Sequence, residues 1–228
     1  MRPLTLFLAS CALAGAPAHA ADPAHPTVIE LFQSQGCSSC PPANAVLNRI
    51  AGRADLLALN FAVTYWDYLG WKDSFARPEF TQRQRDYAGS GGHAGVFTPQ
   101  MVINGRGVIV GSRQAEVDAA IARYDRQSGG PGITAAANGV AIGPGPARRP
   151  AIVWLVAYDP RVIAVPVRAG ENQGRTLPHR NIVRRLTALG TWSGPAARFA
   201  LPPRTPGLEC AILVQDGRGG PILAARRI

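Results

Sequence analysis

Apolar positions along the chain fall into two regimes. Thr27 to Phe32 and Leu56 to Val63 are nearly continuous apolar runs, the pattern of strands covered on both faces in a parallel sheet. Between them Ala43, Val46, Leu47 and Ile50 recur at three- and four-residue spacing, which predicts a helix from Pro41 to about Ala51, ended by Gly52. A second helix is expected around Pro78 to Tyr87, before a glycine-rich break from Gly89 to Gly95. Gln100 to Ile103 and Val108 to Val110 flank Asn104-Gly105-Arg106-Gly107, a hairpin signal. Ser112 can cap a last helix, with Glu116 and Asp118 near its start and Ile121 on its buried side. The order is βαβαββα, complete by about Asp125.

Arg126 to Gly132 and then Gly143-Pro144-Gly145-Pro146 punctuate the chain, and beyond them the period changes. Ala151 to Tyr158, Arg161 to Arg168, Asn181 to Leu186, Cys210 to Gln215 and Pro221 to Ala225 read as strands. Turn residues such as Asp159-Pro160 and Asp216-Gly217 separate them. The chain therefore divides into an α/β domain at 27–126 and a small antiparallel β-sandwich-like domain at 133–228, whose strands could instead add a layer to the first. The polar run Glu171 to Arg175 reads as a hairpin connection or a recognition loop.

Residues 1–20 have the pattern of an export signal: Arg2, an apolar run from Leu4 to Ala16, and the small-x-small site Ala18-His19-Ala20. Leu8-Ala9-Ser10-Cys11 also spells a lipoprotein-type box, but the apolar run ahead of Cys11 is short, which favours cleavage after Ala20. A periplasmic or secreted protein is expected. The formal net charge of +10 is uneven: residues 21–129 are neutral, whereas 130–228 hold thirteen arginines against four acids. That asymmetry suits an acidic partner or an anionic surface, or reflects an Arg-rich composition, since Lys72 is the single lysine. Basic residues are not interleaved with aromatics, so nucleic acid is not an expected partner.

Four cysteines are too few for a disulfide scaffold. Cys37-Ser38-Ser39-Cys40 follows a strand and Gly36 and precedes Pro41-Pro42, which suit a first helical turn. Cys37 then lies at the positive end of a helix, which favours a reachable thiolate, with Cys40 able to resolve a mixed disulfide. Rival readings are an inert disulfide and a thiolate site for copper or zinc. Structural zinc usually takes about four ligands, and one pair supplies two. Cys210 opens an apolar run and reads as a small packed side chain, or else a free thiol. Glu30, an acid inside an apolar strand, is a candidate for proton transfer with Cys40 or a paired structural acid. His93 and His179 are loop histidines that could ligate metal or simply be solvated. The aromatic stretch Tyr65 to Asp73 follows the second strand and so falls at the carboxyl end of the sheet. There Trp66 and Trp71 form either a substrate-gripping wall or a plug.

Glu30 to Phe32, Ser34 to Ala43, Tyr65 to Asp73 and Thr98 to Gly105 together resemble the signature of a family of secreted bacterial proteins with a thioredoxin-like fold, catalogued as a domain of unknown function (family 1223). The chain departs from that signature at Gln33, Asn44, Ala62, Thr64 and Phe97. The resemblance implies a thioredoxin-like fold for the βαβαββα part. It also implies a cis bond at Thr98-Pro99 beside the cysteine pair, so that Thr98 and Pro99 shape a substrate groove. The combined expectation is an exported thiol–disulfide oxidoreductase acting on protein or small-molecule disulfides and thiols. Cys37 is its nucleophile and Cys40 resolves, without cofactor or metal. The alternatives are a thiolate carrier of copper or zinc and a binding scaffold.

Overall fold

The structure is a computed structural model that describes residues 22–91, 95–126, 129–136 and 138–228. The expected export signal at 1–20, Cys11 and His93 lie outside the described residues.

Strand β1 (Thr27–Gln33) pairs in parallel with β2 (Leu56–Ala62), from Thr27 opposite Leu56 to Gln33 opposite Ala62. Both strands are buried along their whole length, and their side chains alternate between two cores. Ile29, Leu31, Leu56 and Ala58 pack against α1 (Cys40–Ile50) and, with Met101 and Ile103, against α3 (Gln114–Tyr124). Val28, Phe32, Leu57, Leu59 and Phe61 point the other way, onto Phe80 and Tyr87 of α2 (Pro78–Ser90). A layer on each face is why neither strand shows an alternating pattern. A short 3₁₀ turn, Asp67–Leu69, lies between β2 and α2. β3 (Gln100–Ile103) runs antiparallel to β1, and β4 (Gly107–Ile109) closes that edge.

Both Asn104 and Gly105 have positive φ, at 48° and 64°, as a mirror-image hairpin turn requires. A Cβ on Gly105 would lie 2.4 Å from the Gly220 carbonyl oxygen, so this turn is pressed against the far half of the chain. Asn104 is fully buried. It accepts from the Val28 amide through its side chain at 2.8 Å and donates to the Tyr124 carbonyl at 2.9 Å.

The second half contributes β5 (Ile133–Ala136), β6 (Gly139–Ile142), β7 (Ala151–Asp159), β8 (Ile163–Pro166), β9 (Thr176–His179), β10 (Ile182–Trp192), β11 (Ala197–Ala200), β12 (Glu209–Gln215) and β13 (Ile222–Arg227). Its antiparallel run β13-β12-β7-β10 does not stand apart. β10 joins β2 through a parallel bridge at Ile182 and Asn60, giving one sheet in the order β13-β12-β7-β10-β2-β1-β3-β4. Asn181 strengthens that seam by donating to the Ala58 carbonyl at 2.8 Å. A three-stranded sheet, β11-β6-β5, covers the outer part of this sheet. Ile133, Val140 and Ile142 from the cover meet Val153, Leu155, Trp192, Ile212 and Val214 below it. The fold is thus α/β, a thioredoxin-like unit followed by a β-sandwich-like one, with one sheet common to both.

Several elements depart from the sequence expectation for local reasons. β10 runs on to Trp192 because bulges at Val183/Arg185 and Ala188/Gly190 reset the alternation that marks a strand. α3 begins at Gln114 with Arg113 in the capping position, so Ser112 does not cap it. β5, β6 and β11 are short Ala- and Gly-bearing cover strands with little apolar pattern, and β9 contains Pro178.

Candidate functional site

Parallel pairing puts the carboxyl ends of β1 and β2 side by side, and antiparallel β3 starts at the same end, with Gln100 opposite Phe32. Everything that leaves or enters the sheet there converges. After Gln33 the chain turns through Ser34 to Ser39, where the Ser34 hydroxyl accepts from the Gly36 amide at 3.0 Å and the Cys37 amide donates to the Ser34 carbonyl at 3.2 Å. Trp66 packs over the turn at Gly36, where a Cβ would sit in ordinary contact, 3.4 Å from the Trp66 Cβ. Cys37 and Cys40 are joined as a disulfide. α1 starts at Cys40 with Ser39 as its cap residue and prolines in its first turn, so Cys37 stands just ahead of the helix.

The Ser39 hydroxyl lies 3.3 Å from the Cys37 sulfur and donates to the Thr98 carbonyl at 3.4 Å. The Thr98-Pro99 bond is cis, as the resemblance implies. Trp66 Nε1 donates to the Thr98 hydroxyl at 2.7 Å, and Trp71 Nε1 to the Gln35 side chain at 2.9 Å. The aromatic loop, the cysteine turn and the β3 entry therefore form one bonded cluster containing Cys37, Cys40, Thr98, Pro99, Trp66 and Trp71. Asp73 anchors it, accepting the Gln35 amide at 2.8 Å and the Phe75 amide at 2.9 Å. Burial pushes the Asp73 carboxyl up to about 6, against the pull of those amides. Tyr68 and Phe97, neighbours in sequence of this cluster, are exposed aromatic side chains.

Gln33 and Asn44 touch each other. Asn44, one turn beyond Cys40, donates to the Gln33 side chain at 3.1 Å and accepts from Asn60 at 2.8 Å. This buried amide chain ties α1 to β1 and β2.

Other sequence candidates lie elsewhere. Glu30 alternates onto the α2 face of β1, away from α1 and the disulfide. It is buried against Arg83, whose Nε lies 2.6 Å from a carboxylate oxygen, and it also accepts from the Tyr87 hydroxyl. Arg83 further donates to Gln215 at 3.1 Å and lies over the Phe61, Tyr87 and Trp154 rings. Glu30 is a structural acid, and the expectation of proton transfer to Cys40 is corrected by its face. His179 is not solvated: it is fully buried against Phe75, and its ring nitrogens have no partner among the described residues. Burial lowers its pKa to about 4. Cys210 is a free, buried thiol in the wall of a cavity of about 390 Å³ bordered by Leu155, Ala157, Leu201 and Arg204. Burial raises its pKa.

Against the expectation of a reachable sulfur, both Cys37 and Cys40 have no exposed surface. The connection between β8 and β9 is bonded to the main chain of the same turn. The Glu171 carboxylate accepts from the Ser38 amide at 2.9 Å. Asn172 Nδ2 donates to the carbonyls of Gln35 at 2.9 Å and Cys37 at 2.8 Å. The polarity of Glu171 to Arg175 marked this run in the sequence; nothing local indicated that it reaches the cysteines across more than 130 residues.

Among curated proteins none matches the chain. Of solved structures, the crystal structure of an Agrobacterium tumefaciens protein is 31% identical, with a TM-score of 0.73 over 89% of this chain and 93% of that one. HBP35 of Porphyromonas gingivalis has a TM-score of 0.57 over 90% of this chain and 74% of its own, and its 10% identity restricts the likeness to the fold. The family described as a protein of unknown function, DUF1223, matches residues 28–215, the stretch that carries the cysteine turn, the aromatic loop, the cis proline and the β8–β9 connection, and the chain belongs to that family.

Proposed function

We propose that this protein is a thiol–disulfide oxidoreductase working in an oxidising compartment outside the cytoplasm. The observation that carries the reading is the Cys37–Cys40 disulfide between β1 and α1, bonded through Ser39 to the cis Thr98-Pro99 segment. A substrate thiolate attacks the Cys37 sulfur, the Cys37–Cys40 bond breaks, and Cys40 leaves as a thiolate that takes a proton. A second substrate thiol then attacks the mixed disulfide at the substrate sulfur, which releases oxidised substrate and Cys37. The reverse sequence reduces a substrate disulfide. In the reduced protein the start of α1 favours the Cys37 thiolate, and the Ser39 hydroxyl can turn its hydrogen from the Thr98 carbonyl to that sulfur. Tyr68 and Phe97 offer apolar contact to an unfolded or extended substrate.

Reduction of insulin disulfides by dithiothreitol, followed with wild type and with Cys37→Ser, tests this. Catalysis above the uncatalysed rate in wild type, lost in the variant, is the expected result. Equal rates in both proteins and in buffer would end the oxidoreductase reading.

A further inference from the structure

The turn that carries the buried cysteines is bonded to chain that belongs to the other half of the molecule, and the bonding is specific. Asn172 has no exposed surface and uses its whole amide: both hydrogens go to the Gln35 and Cys37 carbonyls, while its oxygen accepts from Arg175 at 2.8 Å. Glu171 is exposed apart from its bond to the Ser38 amide, which holds its carboxyl below the usual range and keeps it charged. The loop is bonded to itself, from the Gln173 amide to the Gly170 carbonyl at 3.1 Å and from the Gly174 amide to Val167 at 2.9 Å. Gly170 and Gly174, with φ of 75° and 80°, bracket it.

We propose that residues 170–174 are a lid that holds the disulfide shut and must swing away before any thiol can reach Cys37. This rests on the oxidoreductase reading and adds a regulation of the same site. Side-chain hydrogen bonds tie the lid to the cysteine turn, from the Ser38 amide to Glu171 and from Asn172 to the two carbonyls. Beyond them its hydrogen bonds among the described residues are internal and Gly170 merely rests near Leu69 and Trp71, so breaking them frees the lid without dismantling a core. The closed lid also opposes thiolate formation. Its carboxylate sits at the amide next to Cys37, and a like charge there disfavours a second anion. Closure therefore protects the oxidised state twice, by covering the sulfur and by raising the free energy of the thiolate that reduction would leave. A polypeptide substrate that displaces the lid finds one main-chain N–H and two carbonyls vacated, a set that an extended chain can satisfy.

The test is the rate at which dithiothreitol reduces the oxidised full-length protein, read by trapping the freed cysteines with maleimide. The reaction balances: two thiols of dithiothreitol become its cyclic disulfide, and Cys37 and Cys40 become thiols. Asn172→Ala should be reduced about tenfold faster than wild type. Asn172→Asp keeps the shape but turns two donors into an oxygen facing two carbonyls, and should be faster still. Glu171→Gln should also accelerate, by less. Melting temperatures measured on the same samples show that each variant is folded. Equal reduction rates in wild type and the three folded variants would overturn the lid, as would a wild-type rate equal to that of the urea-unfolded chain. Variants that are reduced faster yet never catalyse insulin reduction would leave the lid standing and remove the oxidoreductase reading alone.

Discussion

Glu30 shows how much one strand position decides. Its neighbours Ile29 and Leu31 face α1, whereas Glu30 faces Arg83, Tyr87 and the core shared with the second half. Taking one partner from a buried ion pair leaves an uncompensated charge or donor set and costs about 3–5 kcal/mol. Glu30→Gln is therefore expected to lower the urea midpoint strongly while leaving the dithiothreitol reduction rate of the folded fraction unchanged. A Glu30→Gln protein of normal stability, or one with altered Cys37 reactivity, would contradict this placement. Much of the site was legible at this scale. Cys37, Cys40, Gly36 and the prolines are local signals with local reasons, and Thr98-Pro99 follows from the family resemblance. Glu171 and Asn172 were not legible in that role, because a hydrogen bond to a carbonyl far away in sequence leaves no periodicity or motif. The destination of Glu30 was undecided in the sequence for a related reason: alternation gives its side relative to its neighbours, but which side carries α1 is a matter of topology.

At the scale of elements, two buried titratable groups lie in the supports of the site and pull in opposite directions. Asp73 belongs to the aromatic loop and His179 to the end of β9, and both touch Phe75, the first through its amide and the second through its ring. His179 has a folded pKa of about 4 against an ordinary 6.5, so the unfolded chain takes up its proton first and stability falls as pH drops through that window. Asp73 has a folded pKa of about 6 against an ordinary 3.8, so the folded chain takes up its proton first and stability rises as pH drops from about 6 toward 4. Each effect amounts to about 3 kcal/mol over its window. They nearly cancel between pH 6 and 4, which leaves the acidic limb of the stability curve to the other carboxylates. Asp73→Asn removes one side of that balance. Urea midpoints at pH 4, 5, 6 and 7 should show the variant losing about 3 kcal/mol relative to wild type on acidification. Parallel curves would mean that Asp73 is not the buried acid its surroundings make it. The elements themselves were legible where burial is two-sided or helical. They were not legible where bulges break β10 or where cover strands such as β5 and β11 carry few apolar side chains.

At the scale of the whole molecule, the question is whether the halves are separate folding units. The sequence places a boundary between 126 and 133, and the chain is glycine-rich there, yet the physical contacts ignore it. The core on the α2 face takes Phe32, Phe61, Phe80 and Tyr87 from the first half and Trp154, Val156, Tyr158, Leu213 and Ile222 from the second. Arg83 reaches Gln215, and the β3–β4 turn presses on Gly220, where the Ile222 amide donates to the Asn104 carbonyl at 2.9 Å. Arginines from the basic second half serve the same seam. Arg227 donates to the carbonyls of Ala54, at 3.0 Å, and Leu56, and Arg218 lies 3.5 Å from the Asp86 carboxylate. A chain ending at 126 would expose the second-half side of that core and one edge of β2 along with it, and would leave Glu30 and Arg83 open to solvent. Full-length protein should therefore unfold in one calorimetric transition, with equal calorimetric and van't Hoff enthalpies. Residues 22–126 alone should give poorly dispersed amide spectra and bind a hydrophobic dye. Two resolved transitions in the full chain, or a well-dispersed spectrum from the fragment, would show that the halves fold apart and merely lean on a common sheet. A single transition would mean that the lid over the cysteines and the framework that holds them cannot be separated without losing both.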